Sequence, residues 1–200
     1  MFEPGAPLDT IYFPQSGLIS LMIVTRNGSA VEAATVGREG AVGLHGSTGQ
    51  RLSFTRAVAQ VGGIFSVIGT SRFEQTVNGN SSVQHLIARY TELLWAEAQQ
   101  TTACNALHNV SSRLVRWLLQ SADRVGRDDL HLTQETLAQM LGCRRTTVTL
   151  LSQALQAKGL IRTGRGHITI IDRKGLEACA CECYRVIHHN ELPLAVGVSL

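Results

Sequence analysis

The spacing of apolar positions changes along the chain, and each change marks a new kind of element. Over residues 1–76 the apolar residues fall into short runs, at 11–13, 17–24, 30–34 and 57–61. Turn formers separate these runs at 14–17, 26–29, 37–40 and 46–49. Asn27-Gly28 is a strong hairpin cue, because both residues tolerate the positive φ that a tight turn needs. Many short strands at close spacing predict a jelly-roll or small barrel. From about Ser82 the period becomes helical. Val83, Leu86, Ile87, Tyr90, Leu93, Leu94 and Ala98 mark one stripe of a long helix ending near Leu107. So narrow a stripe on so long a helix predicts a coiled-coil-like partner, most simply the same helix of a second subunit. A second amphipathic helix, Val110 to about Val125, carries Leu114, Val115, Trp117, Leu118 and Leu119.

The stretch 132–161 holds the sharpest pattern. Thr133 is a plausible N-cap, and Leu137, Ala138 and Leu141 repeat at helical spacing until Gly142 interrupts. The next helix, about 144–156, turns Val148, Leu151 and Leu155 inward and presents Arg144, Arg145, Thr146, Thr149 and Gln153 on its other face. Two helices joined by a glycine turn, the second with a polar, cationic face, read as a helix-turn-helix. Lys158-Gly159 then ends the helix. Residues 160–162 and 167–171, with Arg165 in the turn between them, read as a two-stranded wing. Asp172 is placed to cap a last helix with Leu176, Ala180, Cys183 and Ile187 on its apolar side. The organisation expected is a sensor domain over 1–81, a long helix over 82–108, a reading domain over 109–190 and a tail over 191–200.

Charge sharpens this division. Net charge is only +3, yet residues 109–174 carry eleven Lys/Arg against five Asp/Glu. That segment is therefore +6 and the rest −3, as suits a DNA-binding part joined to a regulatory part. No run approaches the ~20 apolar residues of a membrane span. The first residues lack the basic and apolar regions of a signal peptide. Five cysteines, an odd number, with no export signal predict reduced thiols and a cytoplasmic location.

With these residues in view, the chain resembles the Crp–Fnr superfamily of bacterial transcription regulators. The specific part is Leu132-Thr133-Gln134-Glu135, then Gly142-Cys143-Arg144-Arg145-Thr146-Thr147-Val148, Leu155 and Gly159-Leu160-Ile161. A looser match covers residues 12–20 and Gly40-Ala41-Val42-Gly43. The resemblance implies an α+β fold: a cyclic-nucleotide-binding-like β-roll (a double-stranded β-helix, jelly-roll-like), a long dimerisation helix and a C-terminal winged helix-turn-helix. It implies a homodimer reading a two-fold operator on double-stranded DNA, with RNA polymerase as a further partner. Against the family pattern, the first helix and strand of the roll are missing before Met1. An incomplete roll with an exposed sheet edge is therefore expected.

The DNA chemistry follows from residue type. Arg145 suits a bidentate contact to guanine, worth ~1–3 kcal/mol of discrimination, and by resemblance occupies the family's base-reading arginine position. Thr146 stands where many members carry a glutamate, and Leu150 where many carry a second arginine. Thr146, Thr149 and Leu150 suit a thymine methyl instead. Arg144 and Thr147 are assigned to phosphate, with Arg165 and Lys158 alongside. Gln153 on the outward face and Thr133 at the first helix's start complete the expected set.

The effector site departs from the pattern the resemblance implies. Cyclic-nucleotide-binding members hold ribose with a Gly-Glu pair and phosphate with an Arg-Ser or Arg-Thr pair. Here Gly43 is followed by Leu44, and Phe54-Thr55 falls at the second pair. These four residues are the candidate effector pocket, and the effector is expected to be something other than cyclic AMP. A cyclic-nucleotide-responsive regulator with an altered pocket is the alternative.

No cofactor or metal is expected. Cys179, Cys181 and Cys183, with His188 and His189 nearby, invite a metal reading. On a continuous helix only Cys179 and Cys183 would share a face, so they read as buried small thiols. Cys143 reads as a packed thiol. Relatives with an iron–sulfur centre hold it with cysteines near the N-terminus, and no cysteine precedes Cys104. Spaced catalytic carboxylates, a Gly-x-Ser-x-Gly elbow and a His-x-His pair are all absent, so no enzyme is expected. A thiol-redox activity through Cys179 and Cys183 is the remaining enzymatic reading.

Overall fold

A computed structural model of the chain describes residues 1–47 and 51–188. Five strands open the fold: β1 (Thr10–Pro14), β2 (Leu18–Val24), β3 (Ala30–Val36), β4 (Arg56–Val61) and β5 (Phe65–Gly69). They form two antiparallel sheets, β1-β5 and β3-β2-β4, stitched by isolated bridges Phe2–Ala57, Pro7–Leu52 and Tyr12–Val42. This is the roll that the short runs predict. Phe2 and Pro7 pair with residues later in the chain, in the segment around β4. The hairpin at Asn27-Gly28 forms, with Gly28 at φ +83°. Part of the turn expected at 46–49 lies outside the described residues.

Strand β2 is buried on both faces, which is why 17–24 reads as an almost unbroken apolar run. Ile19 points into the roll with Val36, Val42 and Ala57. On the other face Leu18 and Met22, with Val61 of β4, join the helical core that follows. The pleat places alternate residues on opposite faces, so one strand serves two cores.

Two elements over 1–77 go beyond the four short runs read from the sequence. Strand β5 was not anticipated, and neither was helix α1 (Thr70–Val77). The helix is only two turns long, too short for a convincing period, and it is held by tertiary contact: the Phe73 ring lies 6.0 Å from that of Phe13. After it come α2 (Ser81–Leu107), α3 (Val110–Val125), β6 (Asp129–Leu130), α4 (Gln134–Leu141), α5 (Arg145–Ala157), β7 (Ile161–Gly164), β8 (His167–Ile170) and α6 (Arg173–Ala178).

The expected stripe on α2 divides between two surroundings. Tyr90 and Leu94 pack on the chain's own roll, and Tyr90 Oη donates to Ala41 O at 3.1 Å. The ring sits so close to Gly40 that a Cβ there would lie 2.4 Å from it, which explains the glycine. Leu86, Leu93 and Leu107 are spaced at multiples of seven; Leu86 is 47% and Leu107 78% exposed, while Leu93 is half-buried.

The wing is a three-stranded sheet of order β6-β8-β7, not two-stranded. A two-residue strand such as β6 leaves no periodic trace in sequence. The last helix is also interrupted. It is capped by Asp172, whose Oδ1 accepts from Gly175 N at 3.0 Å, but α6 ends at Ala178 and helix resumes only over 183–188. The inward positions Leu176, Cys183 and Ile187 are nevertheless buried as expected. The tail over 191–200 and His189 lie outside the described residues.

Candidate nucleic-acid interface

Thr133 caps α4 as expected: its Oγ1 accepts from Thr136 N at 3.1 Å. Gly142 ends α4 at φ +61°, ψ +39°, the left-handed conformation that glycine adopts at least cost. The chain then turns directly into α5. Val148 is wholly buried, and Ser152 and Leu155 nearly so, while Leu151 is half-buried against the same core. These positions fix which face of α5 looks outward.

That outward face carries the predicted residues. Arg144, at the N-cap, and Arg145 and Thr146, in the first turn, are exposed, as are Leu150 and Gln153. Thr147 and Thr149 are half-buried. Neither Arg144 nor Arg145 forms an ion pair among the described residues, so both guanidinium groups are available to an anion. Leu150 is 66% exposed, an apolar residue in the middle of a polar face. Arg165 is exposed in the turn between β7 and β8, and Thr133 lies at the start of α4.

Two bracing residues were not picked out by pattern. Thr149 Oγ1 donates to Gln134 Oε1 at 2.7 Å, tying α5 to the first turn of α4. Gln156 Oε1 accepts from Thr163 N at 2.9 Å and from Thr163 Oγ1 at 2.8 Å, tying the end of α5 to the wing. Both ties join neighbouring elements, α5 to α4 and α5 to β7, and become visible only once those elements pack. Cys143 is half-buried between α4 and α5, and burial pushes its thiol above the ordinary range, as befits a packed thiol.

The reading unit does not stand apart from the roll. Trp117 Nε1 of α3 donates to Glu32 Oε1 of β3 at 2.7 Å, and Ser20 Oγ of β2 donates to Glu32 Oε2 at 2.6 Å. Arg124 of α3 donates to Glu97 Oε1 and Oε2 of α2 at 3.0 and 2.8 Å, and its Nε is 3.2 Å from Glu39 Oε1. These groups are buried or nearly so, and sequence alone offered no signal for them.

The four candidate effector-pocket residues do come together. Gly43, Leu44, Phe54 and Thr55 line one cavity of about 190 Å³ beneath α2, with Tyr90, Thr91 and Leu94 forming part of its wall. No carboxylate or guanidinium lines it among the described residues. Gly43 is at φ +96°, and a Cβ there would meet Thr10 O at 2.6 Å. Among the described residues no helix is long and apolar enough to cross a membrane.

Residues 112–179 match the family model of the Crp-like helix-turn-helix domain. The chain is 29% identical over 185 residues to the transcriptional regulator SdrP of Thermus thermophilus, covering 88% of this chain and 86% of the relative. It is 25% identical over 181 residues to a global nitrogen regulator of Nostoc, covering 85% and 80%. Its fold matches the crystal structure of a Crp/Fnr-family transcriptional regulator of Thermus thermophilus at TM-score 0.72 and 26% identity, covering 90% of this chain and 93% of that one. FixK2 of Bradyrhizobium japonicum has the same fold at TM-score 0.77 and 16% identity, covering 90% and 92%. Roll, long helix and capped helix-turn-helix thus agree with these comparisons: residues 112–179 match the Crp-like helix-turn-helix domain, and over most of its length the chain is similar in sequence and fold to transcription regulators of the Crp–Fnr superfamily.

Proposed function

We propose that the chain acts as a homodimer that reads a two-fold DNA site through α5, divided as 1–81 for sensing, 82–108 for dimerisation and 109–190 for reading. The observation that carries this is the face of α5: two arginines without ion pairs at its N-terminal turn, on a helix tied to α4 through Thr149–Gln134 and to the wing through Gln156–Thr163. Arg145 reads a guanine edge. Arg144 and Thr147 hold phosphate, Thr146, Thr149 and Leu150 face a thymine methyl, and Gln153, Thr133 and Arg165 extend the footprint. Leu86, Leu93 and Leu107 supply the face for the second copy, and the paired recognition helices then meet successive major grooves ~34 Å apart. Contact with RNA polymerase and action in the cytoplasm belong to the same reading.

The cavity lined by Leu44 and Phe54 supports an effector other than a cyclic nucleotide. Its hydroxyls (Ser53, Thr55 and Thr91) and His45 offer hydrogen bonds, but among the described residues no carboxylate lines it for ribose hydroxyls and no guanidinium for a cyclic phosphate. Selection from genomic DNA fragments at low salt tests the main reading: a full-length protein that enriches no site overturns it. Calorimetry with cyclic AMP tests the second: no saturable heat is expected, and micromolar binding overturns it.

A further inference from the structure

Three cysteines and a histidine far apart in sequence meet where α2 ends. Cys104 lies in the last turn of α2, and His108 is its C-cap residue. Cys181 and Cys183 arrive from the interrupted last helix, where the break over 179–182 lets both turn inward. A continuous helix would have pointed them apart. Cys104 is 0%, Cys183 1% and Cys181 8% exposed. The three Sγ atoms and one imidazole nitrogen all lie within 4.8 Å of one another. Cys104 Sγ is 3.6 Å from Cys181 Sγ, and Cys183 Sγ is 3.6 Å from His108 Nδ1.

We propose that Cys104, His108, Cys181 and Cys183 bind a single divalent metal ion, zinc by its chemistry, in a tetrahedral Cys₃His site. Bond lengths of ~2.3 Å to sulfur and ~2.0 Å to nitrogen place tetrahedral ligands about 3.5–3.8 Å apart, so small shifts bring all four groups onto one ion. A two-iron cluster needs its ligand pairs held further apart than this. A disulfide between Cys104 and Cys181 uses two of the four groups and leaves Cys183 and His108 without a role.

The surroundings match the same ion. His108 presents Nδ1 to the sulfurs while its Nε2 lies 3.2 Å from Glu182 Oε1, the carboxylate–histidine arrangement that orients a ligating imidazole. Gln100 Nε2 donates to Cys183 Sγ at 3.0 Å, a hydrogen bond that favours a thiolate. Three thiolates and a neutral imidazole on a divalent ion carry net charge −1. The Arg116 guanidinium, 5% exposed and acting electrostatically on Cys104, supplies the opposite charge, and its Nε has no hydrogen-bond partner. Binding displaces three thiol protons to solvent and changes no oxidation state. The ion joins the α2–α3 junction to the C-terminal segment. This site stands independently of the DNA-reading assignment. Exposed Cys179 lies outside it.

The test uses full-length protein, stripped with a chelator under reducing conditions and titrated with cobalt(II). The expected result is the visible ligand-field spectrum of tetrahedral, thiolate-bound cobalt, complete at one equivalent per chain and bleached by zinc. Cys179→Ser leaves it unchanged; Cys181→Ser and His108→Ala abolish or shift it. Absent bands, bands unchanged in Cys181→Ser, or bands lost in Cys179→Ser overturn the site. So does acid-labile sulfide in the purified protein. X-ray absorption of the zinc-loaded wild type needs no variant to fold: three sulfurs and one nitrogen are expected, and an oxygen-dominated shell overturns the proposal.

Discussion

Trp117 of the reading unit hydrogen-bonds Glu32 of the roll at 2.7 Å, and the carboxylate that receives this bond is 8% exposed. Burial pushes the Glu32 carboxyl up to about 7, against the pull of the Ser20 and Trp117 hydrogen bonds and of the Arg116 charge, with Glu97 raising it further. The folded protein therefore holds this proton more tightly than the unfolded chain does. Its contribution to stability is fully present below about 4.5 and is lost as pH rises through about 7. The size is on the order of a few kcal/mol. Glu32→Gln removes the titration, so thermal denaturation across this range should show a flatter pH dependence than the wild type. An unchanged slope would place the proton elsewhere.

Removing the indole donor has a separate effect. Trp117→Phe keeps the apolar bulk in the core but leaves Glu32 Oε1 buried without its donor. A loss of about 1–3 kcal/mol is expected. Urea denaturation measures it, and a change within error would show that water replaces the indole.

Arg124 and Glu97 form a bidentate pair in which the arginine side chain is 3% exposed. Arg124→Met strands Glu97, and Glu39 as well, at a cost of about 3–5 kcal/mol. Adding Glu97→Met should recover part of that loss, because only the more exposed Glu39 then remains without its arginine. Additive losses in the double variant would contradict this account.

The two exposed arginines on α5 should behave differently. Arg145→Ala should relax preference at one base pair per half-site by ~1–3 kcal/mol. Arg144→Ala should weaken all sequences about equally and reduce the salt slope by about 1. Binding measured on a panel of single-base operator variants at several salt concentrations distinguishes them, and a uniform loss for Arg145→Ala would make it a phosphate contact.

Leu93→Asp places a charge on the outer stripe of α2 without touching Tyr90 or Leu94. If the proposed dimer forms through this stripe, sedimentation should show the wild type as a dimer and this variant as a monomer at the same concentration. Dimers of unchanged affinity would move the interface off this stripe.

Sequence alone determined the elements whose cause is local. The period of α2, α3, α4 and α5, the caps at Thr133 and Asp172, and the left-handed turn at Gly142 each depend on residues within a few positions of one another. The outward face of α5 was legible for the same reason: Val148 and Leu155 mark the inner side, and Arg145 and Thr146 fall opposite. Tertiary structure decided whatever joins distant segments. Strand β6 exists because β8 offers it a partner, and α1 because Phe13 offers Phe73 a surface. Tyr90 and Leu94 turned to their own roll, which left Leu86 and Leu107 exposed and Leu93 half-buried. The Glu32–Trp117 bond spans 85 positions and the Cys104–Cys181 approach 77. No spacing rule reaches so far, because such contacts depend on how whole elements pack and on where a helix such as the last one breaks.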